Sequence, residues 1–400
     1  MKTMKTAISN AAEISNKPIS SLCKTNKTTT ERYDKLPKNK TGDILSTGNT
    51  ATTDALSSRI TAVTYHLPEH VRTVKEVEAR IKEASPSDVR LPHGMISRIT
   101  GVETVHVMPD DWQTSDLAAT AARQIFEEQS LSPSDIDLLI FASASQDLIE
   151  PATSHIIAAK LGVQSPVMDI KNACNSFING MEVANAFIRS GSYKRILVVT
   201  GEAPSRGIRW NNPSREIYLT SFPGFTMSDA GAAALIESTD IPQTNRNKDL
   251  PAAEIIGCGF TAMSSAWDVG MLPTGGSMNP RGFDRTYFEI DGGRLFKAFE
   301  LLGSEILDAT LDKHGLTWDD FSMIAVHQVA LPYLDEVKSQ LGIPDDKTLI
   351  TLDKHGNIAS ASLPLQLRKA KDSGMVKEGD LVALVGLGGG ISIGIMMVRI

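Results

Sequence analysis

From residue 58 onward, apolar runs of strand length alternate with amphipathic stretches of helix length, the pattern of an α/β fold. A helical spacing over 115–129 leads into an acid-bearing turn and a buried strand, Ser132-Pro133-Ser134-Asp135-Ile136-Asp137-Leu138-Leu139-Ile140-Phe141-Ala142. A second helical spacing, over 295–313, leads in the same way into Thr317-Trp318-Asp319-Asp320-Phe321-Ser322-Met323-Ile324-Ala325-Val326-His327. Each strand precedes a helix that ends at a Leu-Gly pair, Leu161-Gly162 and Leu341-Gly342. Met168-Asp169 then leads to Cys174, and Leu352-Asp353 to Asn357. A helix follows each, then a strand, at 195–199 and 381–385. The chain reads as two copies of one βαβαβ-type unit, 58–238 and 239–400, packed back to back with helices shared between them. The turns at Cys174 and Asn357 are expected to face one cleft.

Residues 1–57 follow another pattern. They are dense in Thr, Ser, Asn and Lys, lack hydrophobic periodicity, and read as a disordered extension. They have no secretory apolar region, and Arg32 as the lone arginine beside Glu13 and Glu31 argues against a transit peptide. The net charge of the chain is −7, which gives no general attraction to nucleic acid or anionic membrane. No apolar run reaches the roughly 18 residues of a membrane span. The cysteines, at 23, 174 and 258, form no CxxC pair or Cys/His cluster, so no metal site and no disulfide framework is expected. A reducing, cytoplasmic setting fits that usage.

Candidate chemistry gathers at the equivalent strand ends. Cys174, in Asn172-Ala173-Cys174-Asn175-Ser176, stands where a strand gives way to a helix, whose free amides and dipole favour a thiolate. His327 ends an apolar strand and exchanges protons or hydrogen bonds near neutral pH. Asn357 carries an amide that donates without titrating. Gly388-Gly389-Gly390 lets backbone N–H groups approach a ligand. A nucleophile, a proton partner, a neutral donor and an oxyanion loop together point to acyl transfer.

These motifs resemble the thiolase-fold condensing enzymes, in particular the β-ketoacyl-ACP synthase III group, over 58–400. The Asn-Ala-Cys turn, Leu272-Pro273-Thr274-Gly275-Gly276-Ser277-Met278-Asn279-Pro280, Gly293-Arg294-Leu295-Phe296-Lys297, Asp353-Lys354-His355-Gly356-Asn357 and the glycine run carry the resemblance. It implies a layered α/β/α/β/α domain and acyl-CoA or acyl-carrier-protein thioesters as substrates, without a bound cofactor. It also implies a homodimer. Cys174 takes the acyl group, His327 and Asn357 polarise the second thioester, and the amides of Cys174 and Gly389 form the oxyanion hole. Asn279 and Phe296, inside the matching motifs, are expected at the substrate.

Two departures qualify the match. The tryptophan and arginine that grip coenzyme A in this group have no direct equivalents in Met95-Ile96-Ser97-Arg98-Ile99-Thr100-Gly101. Arg98 is displaced by one position, and Arg209 and Trp210, within an inserted stretch 204–225, are candidate replacements, although a solvated loop is the plainer reading. Glu150, in Gln146-Asp147-Leu148-Ile149-Glu150-Pro151, is similar to the olefin-biosynthesis condensing enzymes. Those join two acyl-CoA chains without decarboxylation. A plain acyl thioester must lose an α-proton, so a carboxylate base delivered from a partner subunit fits that chemistry. Acyl transfer to oxygen or nitrogen, an HMG-CoA-synthase-like reaction, whose motifs match less well, and a silent partner subunit are the remaining alternatives.

Overall fold

The structure, a computed structural model, describes residues 57–89, 92–242 and 252–400. Except for residue 57, the extension expected over 1–57 lies outside them. Nine strands pair into the main sheet: β1 (Ser58–His66), β2 (Leu138–Ala142), β3 (Val167–Ile170), β4 (Arg195–Glu202), β5 (Ala230–Ser238), β6 (Ala253–Ala262), β7 (Met323–Val326), β8 (Leu381–Gly388) and β9 (Ser392–Arg399). Their order across the sheet is β7-β8-β9-β6-β1-β5-β4-β2-β3. The joint between β1 and β6 is short, with Arg59 opposite Glu254 and Ile60 opposite Ala253. Outward from it, both flanks pair antiparallel, antiparallel, then parallel. One flank adds β3, parallel to β2. On the other flank, Leu352–His355 forms a helical turn and, among the described residues, no strand is added.

Alternation along the strands builds the layers. Leu138, Ile140, Val382 and Leu384 face a central cluster, while Leu139 and Phe141, and Ala383 and Val385, face two outer ones. Strands covered on both faces need apolar residues throughout, which explains the unbroken runs in the sequence. The helices α1 (Thr114–Gln129) and α2 (Thr153–Leu161) cover one outer face. The central layer holds α3 (Ser176–Arg189) and α6 (Ser362–Asp372), through Phe177, Met181, Leu363 and Leu367. The other outer face takes α4 (Glu305–Lys313) and α5 (Leu331–Leu341). The five expected layers are present. Gly162 and Gly342 cap α2 and α5 in the left-handed conformation, at φ +76° and +68°, as the Leu-Gly pairs imply.

Close approach of α1 to the sheet depends on Gly201. A Cβ there would lie 1.9 Å from the Thr114 carbonyl oxygen. The single helix expected over 295–313 is in fact two, Gly292–Leu302 and α4. They are parted by Gly303 at φ +73°, a backbone state that ends the first helix. No helix among the described residues is long and apolar enough to cross a membrane.

Candidate active site

Between β3 and α3 the chain makes a sharp turn. Ala173 adopts φ +46°, a left-handed state that costs an alanine about 1 kcal/mol or more. Local bonds hold it there. The Asn175 amide donates to Asn172 O at 3.0 Å, and the Ser176 hydroxyl to Ala173 O at 2.6 Å. The Asn172 amide donates to Ser176 Oγ at 2.8 Å. Cys174 is thereby presented two residues before α3. The far side of the turn is clamped by the glycine loop. Asn175 Nδ2 donates to the Ser392 carbonyl at 3.1 Å and to its hydroxyl at 2.8 Å. Gly386 leaves room for this, since a Cβ there would sit 2.1 Å from Asn175 Oδ1. A Cβ on Gly389 would lie 4.0 Å from that of Ala173, which sets the expected oxyanion loop beside the cysteine turn.

The surroundings of the half-buried Cys174 favour its thiol form. Burial pushes it up to about 12, the Glu202 charge adds to this, and its own backbone amide pulls down only in part. Burial thus opposes the pull of the helix end toward the thiolate. Glu202 itself is buried and fully engaged. It accepts from the Ala144 amide at 2.9 Å, from the Ser145 amide and hydroxyl at 3.2 and 3.0 Å, and from the Ser360 hydroxyl in a short contact. Sequence reasoning passed over Glu202, although a carboxylate ending an otherwise apolar strand was a readable signal.

His327 is 2% exposed and both ring nitrogens lack a partner. Burial alone lowers it to about 4, so the ring is neutral near pH 7. Its amide donates to Val385 O at 3.0 Å, beside the glycine loop. The neighbouring Gln328 anchors the next turn. Its Oε1 accepts from the Thr351 and Leu352 amides, both at 3.0 Å, and its Nε2 donates to Leu349 O at 2.7 Å. Asn357 is bridged to Met227, with Asn357 N donating to Thr226 O and Ser228 N to Asn357 O, both at 2.9 Å. The Ala359 amide donates to Asn357 Oδ1 at 3.0 Å, so Nδ2 is the free donor end. Ser360 then reaches Glu202, and through it the surroundings of Cys174. Cys174, His327 and Asn357 are not hydrogen-bonded to one another; shared neighbours relate them, Val385-Gly386 between His327 and Asn175, and Ser360 with Glu202 between the Asn357 turn and Cys174.

The internal match has a different register from the one the sequence suggested. Ala359 also adopts a left-handed φ, +48°, and stands three residues before Ser362, as Ala173 stands three before Ser176. Cys174 therefore corresponds to Ser360, and Asn357 lies upstream of that point.

With this geometry in hand, the relatives are informative. The family model "3-Oxoacyl-[acyl-carrier-protein (ACP)] synthase III" matches residues 168–250, and its C-terminal counterpart matches 311–400. The β-ketoacyl-[acyl-carrier-protein] synthase III of Cereibacter sphaeroides is 30% identical over 342 residues, 85% of this chain and 98% of that protein. The chain belongs to the β-ketoacyl-ACP synthase III family. The synthase III of Rhizobium meliloti is 29% identical over 334 residues, 83% of this chain and 96% of its own. Among solved structures, the synthase III of Xanthomonas oryzae superposes with a TM-score of 0.76 at 25% identity, covering 86% of this chain and all (100%) of that one. Xanthomonas campestris OleA superposes at 0.77 with 24% identity, over 86% and 99%, which speaks to the fold. The chain is thus a condensing acyltransferase of synthase III type with a thiolase-like fold.

The other candidate positions of this synthase III homologue are distributed around that centre. The stretch 204–225 is an ordered, packed segment rather than a solvated loop: Ile208, Tyr218 and Phe225 are buried in it and Arg215–Ser221 is helical. Trp210 lies under the guanidiniums of Arg80 and Arg72, at 4.1 and 5.4 Å from the ring centroid. Arg209 covers the Tyr287 ring at 4.5 Å, and Arg98 is exposed on the short helix Met95–Thr100. Asn279 Nδ2 donates to Pro273 O at 2.9 Å, closing its own loop, and Phe296 packs edge-on against Tyr333. Both are engaged in local structure. Glu150 is exposed, and its neighbours Leu148 and Ile149 are 52% and 65% exposed. Among the described residues, no three His, Cys, Asp or Glu side chains are grouped to hold a metal ion.

Proposed function

We propose that Cys174 carries the acyl group in a two-step condensation fed by CoA or acyl-carrier-protein thioesters. The Cys174 sulfur bonds to the thioester carbonyl carbon. The carrier sulfur departs and takes up the proton that the Cys174 thiol gives up. A second thioester then supplies a carbon nucleophile, formed from a malonyl group by loss of CO2. That carbon attacks the acyl carbonyl, and the Cys174 sulfur leaves and is reprotonated. The Cys174 and Gly389 amides stabilise the oxyanion, while neutral His327 and Asn357 Nδ2 donate to the enolate oxygen. The observation that carries this reading is the strained, locked turn at Ala173-Cys174 beside the glycine loop.

Intact-mass measurement after incubation with acyl thioesters tests it. One acyl adduct is expected on the native protein and none on Cys174→Ala. An adduct on the variant, or none on the native protein, overturns the assignment.

A second reading concerns Glu150. Its exposed loop, flanked by exposed Leu148 and Ile149, suits delivery into a partner's site, where it would take the α-proton of a plain acyl thioester. We propose a homodimer on these grounds, a cytoplasmic setting on the cysteine usage, and a pair of duplicated units, 58–238 and 239–400. Product analysis with acyl-CoA alone separates the routes. A non-decarboxylative product that survives Glu150→Ala undiminished removes this second reading.

A further inference from the structure

His106 and His355 are 249 positions apart in the chain, yet His106 Nε2 lies 3.0 Å from His355 Nδ1. Their ring centroids are 5.3 Å apart and the ring planes are tilted by 32°. The proton positions follow from the partners. His106 Nδ1 is 2.8 Å from the Pro68 carbonyl, which only accepts, so that nitrogen carries hydrogen. Burial holds both rings below the usual histidine range, His355 at about 4, so both are neutral near pH 7. In neutral His106, Nε2 is then an acceptor, and His355 Nδ1–H donates to it. Asp229 and Lys369 face His106, and Lys369, Asp353 and Lys354 face His355, so no single charge dominates the pair.

The pair completes a graded set of ties on the turn that carries Asn357. The Glu103 amide donates to Asp353 O at 2.8 Å, and Thr104 Oγ1 to Lys354 O at 2.6 Å. The two histidines supply the next tie. Beyond them, the His106 amide donates to Ser228 Oγ at 2.6 Å, while the Ser228 amide donates to Asn357 O. Gly356, at φ +63°, leaves no slack, since a Cβ there would lie 2.6 Å from the Thr226 carbonyl oxygen. The turn is therefore fastened step by step to the strand Thr104–His106, and His355 is its side-chain fastener.

We infer that the His106–His355 pair is a positioning device that fixes the height of the Asn357 amide for the second half-reaction. This rests on the reading of Asn357 as the donor to the second thioester. It assigns no contact with substrate to either ring.

The test compares native protein with His355→Leu and His355→Asn, in single-turnover acylation of Cys174 and in steady-state condensation. In His355→Leu, acylation stays within about twofold of native, while kcat for condensation falls roughly 10- to 100-fold with KM little changed. An asparagine amide reaches the place of Nδ1–H, so His355→Asn recovers most of the loss. Condensation unchanged in His355→Leu, an equal fall in both half-reactions, or no recovery in His355→Asn overturns the inference. Failure of the native protein to acylate would instead overturn the role of Cys174.

Discussion

His327 holds two unpartnered ring nitrogens in a buried site, and its protonation is coupled to folding. Above pH 6.5 the ring is neutral in both native and unfolded chains, so it adds no slope. Between 6.5 and about 4 the unfolded chain gains a proton that the native state refuses, and stability falls as pH falls. Below about 4 the loss levels off, at roughly 3 kcal/mol as an upper bound. Denaturant titrations of native and His327→Gln at pH 7 and pH 4.5 should give the smaller acid loss in the variant, with some slope left from His355. A second prediction concerns the thiol. Glu202→Gln removes a charge that raises Cys174, so the pH profile of iodoacetamide alkylation should move to lower pH. The variant should also lose about 1–3 kcal/mol of stability from its disturbed bonds. Cys174, His327 and Asn357 could be nominated from the sequence because each is a polar residue that closes an apolar run or its following turn; the helical turn Leu352–His355 before Asn357, where a strand end was expected, could not. Glu202 showed in the sequence only as a carboxylate at the end of an apolar strand; its partners at 144–145 and Ser360 come from across the fold and were not readable.

At the scale of elements, the pairing of α3 with the β8–β9 hairpin decides whether the cysteine turn exists. Gly386→Ala drives a methyl into Asn175 Oδ1 and to 2.5 Å from Ile178 Cδ1. Overpacking of this kind costs roughly 1–3 kcal/mol. Thermal unfolding should move down accordingly, and acylation of Cys174 should fall by more than the stability loss explains. Helix ends at Gly162 and Gly342 could be read from the chain because glycine caps act locally. The break at Gly303 escaped the reading because the apolar spacing continues across it. The repeat register was misjudged for a related reason. Alanine gives no hint of a left-handed φ, and the tertiary bonds that impose it on Ala173 and Ala359 have no signature in composition.

For the whole molecule, the layered arrangement was legible because strands buried on both faces leave uninterrupted apolar runs. The source of any residue supplied by a second copy was not, because a loop such as 146–151 reads the same whether it faces water or a partner. Hybrid dimers address this directly. On the proposal that Glu150 serves a partner's site, Cys174→Ala and Glu150→Ala proteins are each expected to be inactive in non-decarboxylative condensation and to regain product when refolded together. One site in each hybrid then combines an intact Cys174 with a partner's intact glutamate. No regain with dimer exchange verified by native mass spectrometry would remove the shared-site reading.

The bond between Asn175 and Ser392 joins positions 217 residues apart. A ribosome therefore makes the nucleophile long before it makes the serine that locks its turn. The turn as it stands in the folded chain needs the C-terminal hairpin, so acylation of Cys174 is expected only once that hairpin has closed. Two separately expressed pieces, cut at the exposed Thr239-Asp240 pair that follows β5, should be inert alone and acquire acyl transfer on mixing.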